Sequence, residues 1–125
     1  MVVAIALVIV GMLLPILMIV FGSLLSKNIP EYMNSSLGYR TKRSTISKDT
    51  WDFANKTAAM YWIISGKYCL PVFILLSIFL SVFIHHNKID DSYLIYFIIG
   101  LILFQLIPFL SVIPYTEKRL RDRYK

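Results

Sequence analysis

Residues 1–25 are almost wholly apolar, interrupted only by Gly11, Pro15, Gly22 and Ser23. Such a run must find an apolar surrounding. About 20 helical residues, rising ~1.5 Å each, cross a ~30 Å hydrocarbon core, so this stretch suffices for one span, over about residues 3–25. A cleaved signal peptide is the competing reading. It needs a basic leading region, and Met1-Val2-Val3-Ala4 carries no side-chain charge, so the run is read as an uncleaved transmembrane helix. Pro15 removes one backbone donor and is expected to kink it.

Two further apolar runs follow. Residues 51–85 keep a helical pattern for about 52 Å, which exceeds the bilayer core. Trp51, Asn55, Ala58 or Ala59, Trp62 and Gly66 recur at helical spacing on one face. The first part, to about residue 64, therefore reads as an interfacial amphipathic helix that extends into a second span at about residues 66–85. Lys67 is expected to snorkel at the end of that span, and Pro71 offers a kink. Residues 93–113 form the third span, with Gln105 as its main polar residue, Pro108 as a kink and Pro114 as its end. Apolar residues make up 58% of the chain and the mean hydropathy is +0.69, as in a membrane protein. The expected fold is all-α, a single membrane domain over residues 1–125.

Between the first two runs lies a polar stretch, with the loop and interfacial helix together covering residues 26–65. Unpaired backbone groups are too costly within lipid, so this loop must sit at a membrane face. Pro30 stops the first helix. Gly38 suits a tight turn before Tyr39. Ser44, Thr45 and Ser47 favour local side-chain bonds over regular structure. Asp49 is the expected N-cap of the next helix, with Asp52 supporting its first turn.

Orientation follows from Lys and Arg. Lys27, Arg40, Lys42, Arg43 and Lys48 lie in the first loop, and Lys118, Arg119, Arg121, Arg123 and Lys125 in the tail, residues 115–125. The turn at residues 85–92 holds only Lys88, beside Asp90 and Asp91. Basic segments stay in the cytoplasm. This places the N-terminus outside and the loop and tail inside, against anionic lipid headgroups. The net charge of +6 then needs no direct contact with nucleic acid, which would require a basic face on a soluble fold.

No HExxH, GxSxG, phosphate-binding glycine loop or paired-cysteine motif is present. No catalytic residue, metal or cofactor is expected. His85 and His86 with Asp90 and Asp91 read as a polar turn, because nothing completes a metal site. Gln105 reads as an interhelical hydrogen bond, with a transport pathway as the alternative. Cys69, the single cysteine, reads as a small packing residue. The stretch Gly38-Tyr39-Arg40-Thr41 differs in kind. It sets an aromatic ring, a planar guanidinium and a hydroxyl directly after a turn glycine, and Arg40 offers a fork suited to a carboxylate or phosphate. Asn55 adds a donor and an acceptor one turn beyond Trp51.

With Gly38-Tyr39-Arg40-Thr41 followed by Trp51 and by Ala54-Asn55, the sequence resembles the SdpI family of bacterial membrane proteins. The resemblance extends from about residue 36 into the tail, where Thr116-Glu117 and Leu120 follow the third span. It implies that Gly38, Tyr39, Arg40, Thr41, Trp51 and Asn55 are signature, binding-type positions. It also implies a non-enzymatic role and a Gram-positive source. The best-known members give immunity to a secreted peptide toxin of the sporulation-delaying type. The founding member is also a receptor, which holds a small transcriptional repressor at the membrane. A small transporter, and a membrane enzyme using Arg40 as an anion clamp, are the alternatives the residues leave open.

Overall fold

The computed structural model describes residues 1–32 and 38–124. The start of the polar loop, at residues 33–37, and the last tail residue lie outside them. Three helical segments are long and apolar enough to cross a membrane, so the chain is a multi-pass, all-α membrane protein. Helix α1 covers Val2–Lys27, α2 Lys48–His86, α3 Leu94–Leu110 and α4 Val112–Arg123.

Helix α1 meets α2 along a seam of small residues. Its buried positions, Leu7, Gly11, Pro15, Met18 and Gly22, recur every three or four residues and so form one stripe. A Cβ on Gly22 would lie 2.9 Å from the Ala59 carbonyl oxygen and 2.9 Å from Ile63 Cγ1; one on Gly66 would lie 2.9 Å from the Pro15 carbonyl oxygen. Lipid tails are as apolar as leucine, so burial alone does not drive helices together in a bilayer. Close backbone approach at small residues supplies van der Waals contact instead. Near the other end, Gly11 faces Ser77, whose hydroxyl is turned back onto the Phe73 carbonyl at 2.7 Å. Leu7, Phe73, Ile84 and Leu101 form the apolar core there.

Helix α2 is continuous through Gly66 and Pro71. The apolar helix α1 accompanies it down to Ala59 and Ile63, within the stretch expected at the interface. Its start differs from expectation. Ser47, not Asp49, is the N-cap: its hydroxyl accepts the Thr50 amide at 3.2 Å, and the Thr50 hydroxyl accepts the Ser47 amide at 2.9 Å. This reciprocal pair satisfies two donors at once. Asp49 sits instead in the first turn, where the helix dipole favours a carboxylate.

Helix α3 ends at Leu110 and α4 starts at Val112, so the helical course runs on past the expected end of the third span and Pro114 does not close it. Pro114 lies in the first turn of α4, where a missing N–H is tolerated. The basic tail is therefore helical, and it continues from α3 along α2 toward the start of that helix. Tyr124 donates to the Asp49 carbonyl at 3.2 Å, and its ring meets Phe53 edge-on at 5.8 Å. On α3, Gln105 donates its amide to the Val10 carbonyl of α1 at 2.9 Å, the interhelical bond anticipated from the sequence.

A polar platform at the loop-side face

Trp51 is completely buried in the first turn of α2. Its indole N–H donates to the Pro30 carbonyl at 2.8 Å, which fixes the chain as it leaves α1. Tyr32 packs edge-on against the same ring at 6.1 Å and donates to the Thr45 carbonyl at 2.7 Å. The Arg40 guanidinium lies over the ring, 5.5 Å from its centre, a cation–π arrangement. One tryptophan thus anchors both sides of the loop.

Asn55 is also fully buried, one turn further along α2. Its side-chain N–H2 donates to the Trp51 carbonyl at 2.8 Å, and its oxygen accepts the Tyr39 amide at 2.7 Å. Both ends of the amide are used, so burial leaves neither unsatisfied. Gly38 makes this possible. Its φ of +112° lies where side chains are strained, and a Cβ there would fall 2.8 Å from Asn55 Oδ1.

Beyond Gly38 the chain turns outward to α4. The Tyr39 hydroxyl donates to Glu117 Oε1 at 2.9 Å, and the Thr41 hydroxyl donates to the same oxygen at 2.6 Å. Arg43 Nε lies 3.3 Å from the other carboxylate oxygen, with both side chains partly exposed. Burial of the Tyr39 ring pushes its phenol above the ordinary 10.0, and the bond to Glu117 and its negative charge act the same way. The phenol therefore stays protonated at physiological pH and serves as a donor. Behind it, buried Ser44 accepts the Thr41 amide at 2.7 Å, and the Thr45 hydroxyl donates to the Thr41 carbonyl at 2.8 Å. These local bonds shape the turn so that Tyr39 and Thr41 both reach Glu117.

The six positions expected to be of the binding type come together here. Gly38, Tyr39, Arg40 and Thr41 form one strip of loop, and Trp51 and Asn55 hold it from below. In the sequence Glu117 stands out only as part of the tail, yet it is the hub that ties loop to α4. The signal available was a carboxylate at the head of an otherwise basic run, Lys118, Arg119 and Arg121. Its role depends on partners more than 70 residues away, which no local pattern reveals.

Beneath the strip is a cavity of about 770 Å³, within the ~300–1,000 Å³ range of small-ligand sites. Phe21, Leu24 and Leu25 of α1 line one side, and Phe109, Leu110 and Ile113 line the other. Ala58 and Trp62 contribute from α2, and Tyr39, Arg40 and Thr41 border it from the loop.

The profile of the SdpI/YfhL protein family matches residues 32–116, which takes in Gly38, Tyr39, Arg40, Thr41, Trp51 and Asn55 and stops one residue before Glu117. The uncharacterised protein YfhL of Bacillus subtilis (strain 168) is 42% identical over 50 residues, 40% of this chain. The matched segment covers 46% of that relative, so the similarity spans about half of its length. No solved structure matches the chain. With the match extending over most of the sequence, from the loop through α2 and α3 into the first turns of α4, the chain belongs to the SdpI/YfhL protein family.

Proposed function

We propose that the protein confers immunity to a secreted peptide toxin, and that the platform of Tyr39, Arg40 and Thr41 is the element that recognises its partner. One observation carries this reading. A loop rich in hydrogen-bonding groups is held rigidly at a membrane face, at the mouth of an apolar cavity, within the segment shared with the family. Rigid placement is what a binding surface needs, because it lowers the ordering cost of association. Catalysis has less support. Tyr39 is held protonated, the reverse of an activated nucleophile or base. Gln105 is engaged with the Val10 backbone, which favours a tie between helices over a transport path.

In this reading the loop and α4 face the cytoplasm and the Asp90 turn faces outward, as the Lys/Arg asymmetry implies. The signalling branch of the proposal has a small repressor held at that same cytoplasmic face. Orientation is tested with Cys69→Ala as background. Lys42→Cys should resist a membrane-impermeant thiol reagent in intact cells, and Asn87→Cys should react. Both positions are exposed, so the reversed pattern would overturn the orientation.

Function is tested by challenging a toxin-susceptible strain with and without the gene. Survival should require it. Arg40→Lys should impair protection more than Lys42→Ala at equal membrane abundance, since lysine keeps the charge but cannot present two parallel donors. Loss of one charge-assisted bond corresponds to about a tenfold to hundredfold weaker complex. Equal behaviour of the two variants would reduce the strip to a basic anchor, and no protection at all would overturn the immunity reading.

A further inference from the structure

The cavity under the platform straddles the boundary between hydrocarbon and headgroups. Two aromatic residues of α2 mark the level. Trp62 donates to the Phe109 carbonyl at 3.2 Å and stacks on that ring at 5.3 Å. Tyr61 lies against Tyr115 at 5.0 Å. Rings with one polar end favour the headgroup layer. From that level toward the loop the side walls are apolar, and Phe21, Leu24, Leu110 and Ile113 stay roughly half exposed. Above it lie Tyr39, Thr41 and the exposed cation Arg40.

The backbone explains why a groove exists here. Gln105 ties α3 to α1 at Val10. Past that point the end of α3 leans on α2 through Trp62 and Tyr61 and on to α4. The last turns of α1, from Phe21, form the facing wall. The opening between them is lined by lipid-facing side chains, so whatever fills it comes most readily from the bilayer.

We propose that this groove is a site for one anionic phospholipid of the adjacent leaflet, with an acyl chain between α1 and α3 and its phosphate beside Arg40. Charge complementarity selects the class. The face carries Lys27, Arg40, Lys42, Arg43, Lys48 and Lys56 with the basic residues of α4, an excess over the acids Glu31, Asp49, Asp52, Glu117 and Asp122. A zwitterionic lipid gains nothing from that excess, whereas a net negative headgroup does. An apolar chain fits the walls, and the phosphate meets the cation at the depth where phosphates lie. Such a lipid would brace the end of α1 against the end of α3 across the groove.

Tryptophan fluorescence reads this directly. Trp51 is fully buried, while Trp62 is partly exposed and lines the groove. The full chain is reconstituted in phosphatidylcholine vesicles with a minor share of phosphatidylglycerol. Bromine is carried on the acyl chains of one lipid or the other, so quenching reports lipid contact. Per mole, brominated phosphatidylglycerol should quench about fivefold more strongly than brominated phosphatidylcholine, the ratio one cation near an anionic surface gives. Arg40→Gln should lower the ratio most and Lys42→Gln less, while Arg40→Lys should largely keep it, since a phosphate accepts a point charge. That last result separates this inference from the immunity reading, in which Arg40→Lys is damaging. Equal quenching by both lipids, or an Arg40→Gln variant of unchanged helix content that retains the preference, would overturn the proposal. So would efficient disulfide capture between two copies carrying Ile113→Cys on the Cys69→Ala background, which would show a second chain occupying the groove.

Discussion

The two ends of the bundle are held by different means. Around Gly11, Ser77 and Leu7 the helices meet through small residues, apolar packing and single hydrogen bonds to backbone carbonyls. At the loop-side face the contacts are polar and converge on a few side chains, Trp51, Asn55 and Glu117. The contrast follows from the solvent each end meets. In hydrocarbon every backbone polar group must be paired within the protein, so the seam relies on shape. Where water and headgroups compete, only groups with fixed directions can specify a loop, so the platform relies on donors and acceptors. A seam of shape tolerates no added volume. A platform of hydrogen bonds tolerates volume changes better but depends on each partner.

The strongest test of that contrast is Gly11→Val. Added methyl groups would press on Ser77 and the Phe73 carbonyl oxygen, and that backbone cannot yield cheaply. Destabilisation of about 1–3 kcal/mol is expected from overpacking, seen as a lower unfolding midpoint in detergent micelles. A silent substitution would mean that the seam is not a close-packed one.

Glu117→Gln should act elsewhere and more gently. It keeps an oxygen for Tyr39 and Thr41 but loses the charge facing Arg43, a partly exposed pair. About 1 kcal/mol or less is expected. The effect should appear as up to about fivefold faster tryptic cleavage at Lys42 or Arg43, with the helical unfolding midpoint nearly unchanged. Equal losses in both measurements would erase the distinction between platform and bundle.

Gln105→Leu removes the bond to Val10. Hydrogen bonds between membrane helices average about 0.6 kcal/mol, so the unfolding midpoint should fall only slightly and toxin protection should persist. Loss of protection at normal membrane abundance would make Gln105 part of a ligand path.

At neutral pH Tyr39→Phe should produce the smallest change. The folded protein holds the Tyr39 phenol above its ordinary value, so it binds that proton more tightly than the unfolded chain does. This contribution is complete below about pH 10 and declines as pH rises toward the folded-state value. Wild type should therefore lose stability between about pH 10 and pH 11, and Tyr39→Phe should lose less. Parallel alkaline profiles would place the tyrosine outside the coupled network.

By itself the sequence determined that this chain crosses a membrane on three apolar runs, because hydropathy and length are local properties that lipid reads directly. It also marked the special strip. Gly38 and the polar residues after it had no use as a mere spacer, and Trp51 and Asn55 repeat at helical spacing. Tertiary structure decided the rest. Ser47 rather than Asp49 starts α2, because the Ser47 and Thr50 hydroxyls answer each other's amides. The tail becomes α4, since Tyr124 finds Phe53 and the Asp49 carbonyl to dock against. Glu117 becomes the hub only when α3 returns the chain to the loop-side face, within reach of Tyr39 and Thr41. A span is specified by residues that need only lipid as a partner. A hydrogen bond needs a second group at a set distance and angle, and where that group lies is settled by how all the helices pack.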